Sequence, residues 1–395
     1  MIGDALVLVA IGIYVTRLTG RPSDVGLVLG AYTLSLAVVI LFGGVVADRL
    51  PRRKVMIYAD LVRGSAHATL AVLILTDVVQ IWHMVVIGVV FGTAEALFRP
   101  AFTGLLPQTV AEADIAEATA LSGISEVIPE FLGPAFAAAL VLGVGGAAAF
   151  GFDAATFVLS ACLLAQIHVR QRGAKREDEE SSSLLTDFRE GWSVVTENSW
   201  VWVTIVVFGV ALFAGEAPFA VLGASVARRV YGTEAVYGYA TAAFGAGLVI
   251  GALIGSRWRV KRPMFIGMLF SVPWPLGYAV FGAGWPIALM LPLLVFCGVG
   301  IGVFTVLWQT ALAERIPPHA LSRVAAWDWM GALALLPLGY VSSGWVAGVV
   351  GDQQLLVGGG ILAAAALALG LIPRDTRTLL AIDQDRVGAE VVELA

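Results

Sequence analysis

Apolar residues run along this chain in blocks of roughly twenty, separated by short charged or Pro/Gly-containing breaks. About 20 apolar residues is the length a helix needs to cross a bilayer, and a helix satisfies its own backbone there. Reading runs against breaks predicts twelve helical spans, at 2–18, 24–47, 55–76, 80–105, 118–142, 146–168, 200–224, 234–256, 264–283, 285–312, 321–350 and 353–372. The longer runs are expected to tilt or to include short turns outside the membrane. The pattern changes between the sixth and seventh spans. RQRGAKREDEESSS, from Arg170 to Ser183, reads as solvated linker. After it Leu184, Leu185, Phe188 and Trp192 recur at helical spacing, which predicts an amphipathic helix on the membrane surface. The expected organisation is a six-helix half at 1–169, a linker at 170–199, a second six-helix half at 200–373 and a polar tail at 374–395. The fold class is therefore all-α integral membrane, with twelve transmembrane helices in two pseudo-symmetric halves.

Composition agrees. Apolar residues make up 59% of the chain and charged residues 13%, against about 45–50% and about 25% in soluble domains. Mean hydropathy is +0.88. Cys162 and Cys297 both lie in apolar runs without metal-ligand spacing, so they read as small buried hydrophobes. No GxxxxGK[ST] or HExxH occurs and the four histidines are scattered, so neither ATP-driven pumping nor a cofactor or metal is expected. Gly358 to Gly360 and most other glycines read as helix-packing positions. No basic segment precedes the first apolar run, so no cleavable signal peptide is expected. Ile2 to Leu18 is barely long enough to span, and Asp4 lies near its start. Helix 1 is thus expected to be truncated at its N-terminus.

Charge placement orients the chain. Gly44 to Lys54, GVVADRLPRRK, holds five charges in seven residues, four of them basic. On the side of this segment lie 18 of the 24 Lys/Arg, and the opposite side holds four. By the positive-inside bias both termini are cytoplasmic. Weak internal repetition fits two halves. Gly44, Asp48 and Arg52 recur as Gly251, Gly255 and Arg259, and Leu132-Gly133 recurs as Leu338-Gly339. Duplication about a central linker places a substrate path between the halves.

Ionisable residues inside spans carry the functional signal, because each costs at least ~2.5–3.5 kcal/mol at the bilayer centre. Asp60 and Arg63 are one turn apart, and Glu95 and Arg99 are four apart on one helix face. With Asp48, Arg52 and Arg53 they are expected to form a cytoplasmic charge cluster, either a gate that breaks and re-forms or a static lattice. Glu126 and Glu130 flank Pro129, with Glu130 near the midplane; Glu130, Glu126 and Asp4 are the candidates for proton coupling. Glu216, before Pro218, is expected toward the outer side. Asp328 between Trp327 and Trp329 offers a carboxylate flanked by aromatics for a cationic or aromatic substrate. Asp153 is expected to snorkel or cap near the outer end of span six.

The pattern Gly44-x-x-x-Asp48-Arg49-x-x-Arg52-Arg53 resembles the signature loop between helices 2 and 3 of major facilitator superfamily transporters, with Pro51 where that family usually has Gly. Gly133-Pro134 is similar to the Gly-Pro element of the family's helix-5 antiporter motif. Asp60-Leu61-Val62-Arg63, Phe98-Arg99-Pro100-Ala101 and Leu106-Pro107 resemble the branch that includes the enterobactin exporter and macrolide-efflux proteins. The resemblance implies that the signature-loop charges stabilise the outward-facing state. It implies proton-driven export of a small amphipathic molecule, a drug or siderophore, from a bacterial cytoplasmic membrane. The expected partners are that cargo, protons and the lipid bilayer, with no nucleic acid, and the protein is expected to work as a monomer. A nutrient importer would share the architecture. A membrane-embedded lipid-modifying enzyme would need a clustered His/Asp/Cys constellation at one interface, and none is visible.

Overall fold

The computed structural model describes residues 2–111, 118, 133, 136–167 and 184–380, and no strand occurs among them. The first helices are α1 (Ile2–Thr19), α2 (Pro22–Arg49), α3 (Arg52–Leu75) and α4 (Ile81–Leu105). Residues 136–143 form α5, and α6 is Gly146–Gln166. The linker helix is α7 (Leu184–Glu197). Then come α8 (Ser199–Ala211), α9 (Ala217–Tyr231), α10 (Ala235–Arg257), α11 (Pro263–Ser271), α12 (Pro273–Gly282), α13 (Ile287–Arg315), α14 (Pro318–Val350), α15 (Asp352–Leu369) and the short α16 (Arg374–Thr378). Ten helical stretches among the described residues are long and apolar enough to cross a membrane, with Val7–Thr19 a shorter apolar helix. With α1 and the segment holding α5, these fit a twelve-helix membrane fold.

Helix ends outrun the apolar runs that predict them. Only Leu50 and Pro51 separate α2 from α3, so the charged signature segment lies mostly on helix termini rather than in a loop. Hydropathy marks where hydrocarbon ends, whereas a helix continues into water while its charged side chains are solvated. Pro51 suits the turn because its φ of −57° is the one its ring imposes. Likewise α8, a π-helical turn at Leu212–Glu216 and α9 make one 33-residue span, Ser199–Tyr231, longer than the expected 200–224. Gly232, at φ 79°, ends it in the left-handed conformation that glycine adopts freely. The ninth span is expected as one helix but is broken at Val272, where Pro273 lacks the N–H that would continue the ladder.

The same helix pairs pack in both halves. α2 lies on α4 and α10 on α13, and α3 lies on α6 and α12 on α15. Glycine permits the closest of these approaches. A Cβ on Gly251 would strike the Val299 carbonyl, and one on Gly298 the Phe244 carbonyl. Between the halves the principal contact is α2 against α14. It lies where α2 begins and α14 ends. A Cβ on Gly26 would strike the Tyr340 carbonyl, and one on Gly344 would meet Ser23 at 2.5 Å. This Gly26-x-x-x-Gly30 stripe is the small-residue packing that membrane helices use. The face bearing the α2–α3 turn is called here the basic face, and its opposite the far face.

Candidate functional site

The basic side chains at the start of α3 grip the ends of neighbouring helices. Arg52 Nη1 donates to the Gly104 carbonyl at 2.6 Å, in the last turn of α4. Arg53 donates to the Ala165 and Ile167 carbonyls, at 2.5 and 3.0 Å, at the end of α6. Such carbonyls lack intrahelical partners and carry the negative end of the helix dipole. Gly44, Asp48 and Arg49 fall in helix α2, but their side chains lie outside the described residues.

Deeper in, α3 places Asp60 and Arg63 one turn apart, as their spacing predicts. Arg63 Nη2 donates to Asp60 Oδ1 at 2.5 Å, and both side chains are at most 2% exposed. Ser160 of α6 donates to the other Asp60 oxygen at 2.6 Å. The guanidinium lies over the rings of Phe98 and Phe157, each at 4.4 Å. On α4, Arg99 donates through Nε and Nη2 to Glu95 Oε1, at 2.9 and 2.5 Å. Tyr32 of α2 donates its hydroxyl to Glu95 Oε2 at 2.6 Å. Arg99 also stands 5.6 Å from the Trp329 ring centroid on α14, a cation–π contact between the halves.

The far face carries its own pairs. Arg17 of α1 donates to Glu234, just before α10, at 3.4 Å, and Arg228 approaches the same carboxylate at 3.8 Å. Arg229 donates to Asp352 Oδ2 at 2.9 Å. Glu234 therefore joins a basic residue from each half. Sequence spacing gave no sign of it, because its partners are not helical neighbours.

Glu216 lies midway along the Ser199–Tyr231 span rather than toward the outer side, and is partly accessible. It ends the π-helical turn. Pro218 explains that turn, since it cannot donate to the Ala214 carbonyl one helical turn earlier. Gly359 of α15 approaches that carbonyl closely. Glu216 accepts the Tyr278 hydroxyl proton, and Tyr278 in turn accepts from Trp274 Nε1 at 2.6 Å. Phe219 stacks on Tyr278 at 4.4 Å between centroids. An acid held by a tyrosine and boxed by aromatic rings is the result.

Trp327, Asp328 and Trp329 do not converge on one pocket. Consecutive helical residues point about 100° apart, and the three go three ways. Trp327 leans on Trp192 of α7, with centroids 4.5 Å apart. Asp328 accepts from Trp308 Nε1 of α13 at 3.0 Å. Trp329 faces Arg99. The linker helix α7 docks on α14, with Glu190 paired to Arg323 at 2.5 Å.

Asp153 neither snorkels nor caps. It is fully buried seven residues into α6 and bonds His67 of α3, Nδ1 to Oδ2, at 2.5 Å. Sequence reading missed His67, since two residues 86 apart give no local signal. Asp4 lies on α1 with its side chain outside the described residues. Glu126, Glu130 and Pro134 lie outside them too, and Gly133 is a buried helical position.

A family model described as Major Facilitator Superfamily matches residues 1–332. Among characterised and uncharacterised relatives, the MFS-type transporter YfiS of Bacillus subtilis is 25% identical over 92% of this chain and 84% of its own length. Macrolide efflux protein A of Streptococcus pyogenes is 22% identical, covering 94% of this chain and 93% of that one. Multidrug efflux pump Tap of Mycolicibacterium fortuitum is 25% identical, covering 94% and 91%. Among solved structures, a bacterial homolog of the lysosomal transporter Spinster, described as inward-facing and unoccupied, superposes with a TM-score of 0.73 at 13% identity, covering 95% and 94% of the two chains. The nucleoside transporter NupG superposes at 0.70 with 14% identity, covering 94% and 96%.

Proposed function

The chain belongs to the Major Facilitator Superfamily, and on that premise we propose that this membrane transporter exports a small amphipathic molecule, a drug or siderophore, in exchange for protons. The basic face is cytoplasmic, both termini lie on that side, and the two halves rock about the path between them. The relatives named for macrolide and multidrug efflux support export.

One observation supports the rocking mechanism most directly: the halves meet on one side. On the far face, α2 and α14 touch through glycine and Arg17 reaches Glu234. Toward the basic face, the described contact between charged or aromatic side chains of the two halves is Arg99 over Trp329. This is the arrangement of a carrier closed to the outside. Opening outward separates α2 from α14 and draws Arg17 from Glu234. The halves then close on the basic face, where the signature segment, Asp60–Arg63 and Glu95–Arg99 lie. Differential binding of proton and cargo to the two arrangements supplies the coupling. Glu216 in its aromatic box is the candidate cargo contact, and the acids Glu130, Glu126 and Asp4 are candidates for proton exchange.

Purified protein in proteoliposomes, with an imposed pH gradient and ethidium, a macrolide or a siderophore as cargo, tests this reading. Gradient-dependent movement of one cargo is expected. Movement that ignores the pH gradient for every cargo would refute proton exchange, and accumulation toward the cytoplasmic side would refute export.

A further inference from the structure

The His67–Asp153 pair has no part in the function proposed above, yet its surroundings are those of a site. The imidazole stacks on Phe91, with centroids 4.3 Å apart and planes 14° from parallel, and meets the edges of Phe150 and Phe157. Its Nδ1 is occupied by Asp153, which also accepts from Thr156 Oγ1 at 3.3 Å. Among the described residues the other ring nitrogen, Nε2, has no hydrogen-bond partner. The residue is 2% exposed, and Nε2 is left open to a proton that reaches the cavity. The ring lines a small apolar cavity between α1, α2, α3 and α4, where the other polar side chain is Tyr32.

We propose that His67 and Asp153 form a proton-binding site of the transport cycle. Nε2 takes one proton from a hydronium that enters the cavity, releasing water, while Nδ1–H keeps its bond to the carboxylate. A neutral imidazole beside a buried carboxylate becomes an imidazolium–carboxylate pair with no net charge. The proposal rests on the proton-exchange reading above.

Charged and titratable groups link the site to the interface between the halves. On α3 itself Asp60–Arg63 lies one turn away, and Phe91 and Phe157 pack on both Arg63 and His67. From α1, Tyr14 reaches the edge of Phe150 at 6.3 Å. The acid Asp4 also stands on α1, with its side chain outside the described residues. From α6 come Asp153 and Thr156. From α2 comes Tyr32, across the cavity and bonded to Glu95. From α4 come Glu95 and Arg99, and Arg99 touches Trp329 of the other half. Protonation removes the site's net negative charge, and that change is felt by α2 and α4. The former carries the Gly26 closure and the latter the Arg99 contact.

His67→Gln in proteoliposomes with ethidium as the probe tests the site. Ethidium efflux driven by a pH gradient is expected to fall on the order of tenfold or more, with gradient-independent ethidium counterflow kept. Unchanged gradient-driven efflux overturns the site. Loss of both activities overturns it too, marking a structural pair. Asp153→Asn provides a second variant, expected to lower gradient-driven efflux and spare counterflow in the same way. Should the parent itself ignore the pH gradient, the proton-exchange reading fails separately. NMR of isotope-labelled histidine in the full chain then decides the site. A resonance assigned to His67 by its loss in His67→Gln, changing with pH and displaced by Asp153→Asn, supports it. A His67 signal that does not titrate overturns it.

Discussion

Well inside their spans, the two halves handle acids in opposite ways. Among the described residues, the N-terminal spans pair each buried acid with a base: Asp60 with Arg63, Glu95 with Arg99, Asp153 with His67. The C-terminal half pairs Asp352 and Glu234 with arginines at helix ends, but well inside its spans it holds the partly accessible Glu216 and Asp328 against neutral donors, Tyr278 and Trp308. Every arginine on the C-terminal spanning helices lies within two turns of a helix end. A paired charge fastens helices and strands its partner when broken. An acid held by a neutral donor changes its charge without stranding anything. The first half is built as a charged frame, and the second holds its mid-span acids without a fixed charged partner.

The largest expected effect breaks the frame. Arg63→Met leaves Asp60 buried and uncompensated and costs about 3–5 kcal/mol, read as a lower unfolding temperature in detergent. Adding Asp60→Asn recovers most of the loss. A single variant as stable as the parent would erase the contrast. Next comes the surface where the halves meet. Gly26→Val drives a side chain into the Tyr340 carbonyl, so transport is expected to stop while the protein still folds. Far-face cysteine labelling between α2 and α14 should rise, and unchanged labelling would show that the close approach is not the closure.

The contrast sharpens with Glu216→Gln, expected to cost no more than about 1 kcal/mol because the amide still meets Tyr278, while cargo-stimulated transport falls. A loss as large as that of Arg63→Met would place Glu216 in the same class as the paired acids. Smaller again is Trp329→Ala, which removes a cation–π contact of about 0.5–1 kcal/mol. It is expected to change the rate of exchange between arrangements rather than stability. Arg17→Ala removes a pair whose arginine is 41% exposed, so about 0.2–1 kcal/mol is at stake. Its effect on transport should shrink as salt is raised, and persistence in high salt would count against an electrostatic latch.

What the sequence shows is set by distance along the chain. Asp60–Arg63 and Glu95–Arg99 are legible because three and four residues return to one helix face. Most span positions are legible because hydrocarbon demands apolar runs. Tyr32 on Glu95, Tyr278 on Glu216 and His67 on Asp153 join helices 63, 62 and 86 residues apart, and no periodicity announces them. The Trp327-Asp328-Trp329 triplet misleads for the opposite reason, since adjacency in sequence is divergence on a helix.

The π-helical turn at Leu212–Glu216 accommodates one residue more than an α-helical turn would, and Pro218 just beyond it fixes the place. Everything after that turn, including the α9 face that packs beside Tyr278 and Tyr237, is rotated relative to α8 by about one residue's angle, near 100°. In genetic terms this is what a single-codon insertion leaves behind. Excising one residue ahead of Glu216 would turn that acid out of its aromatic box while leaving every residue of the box intact.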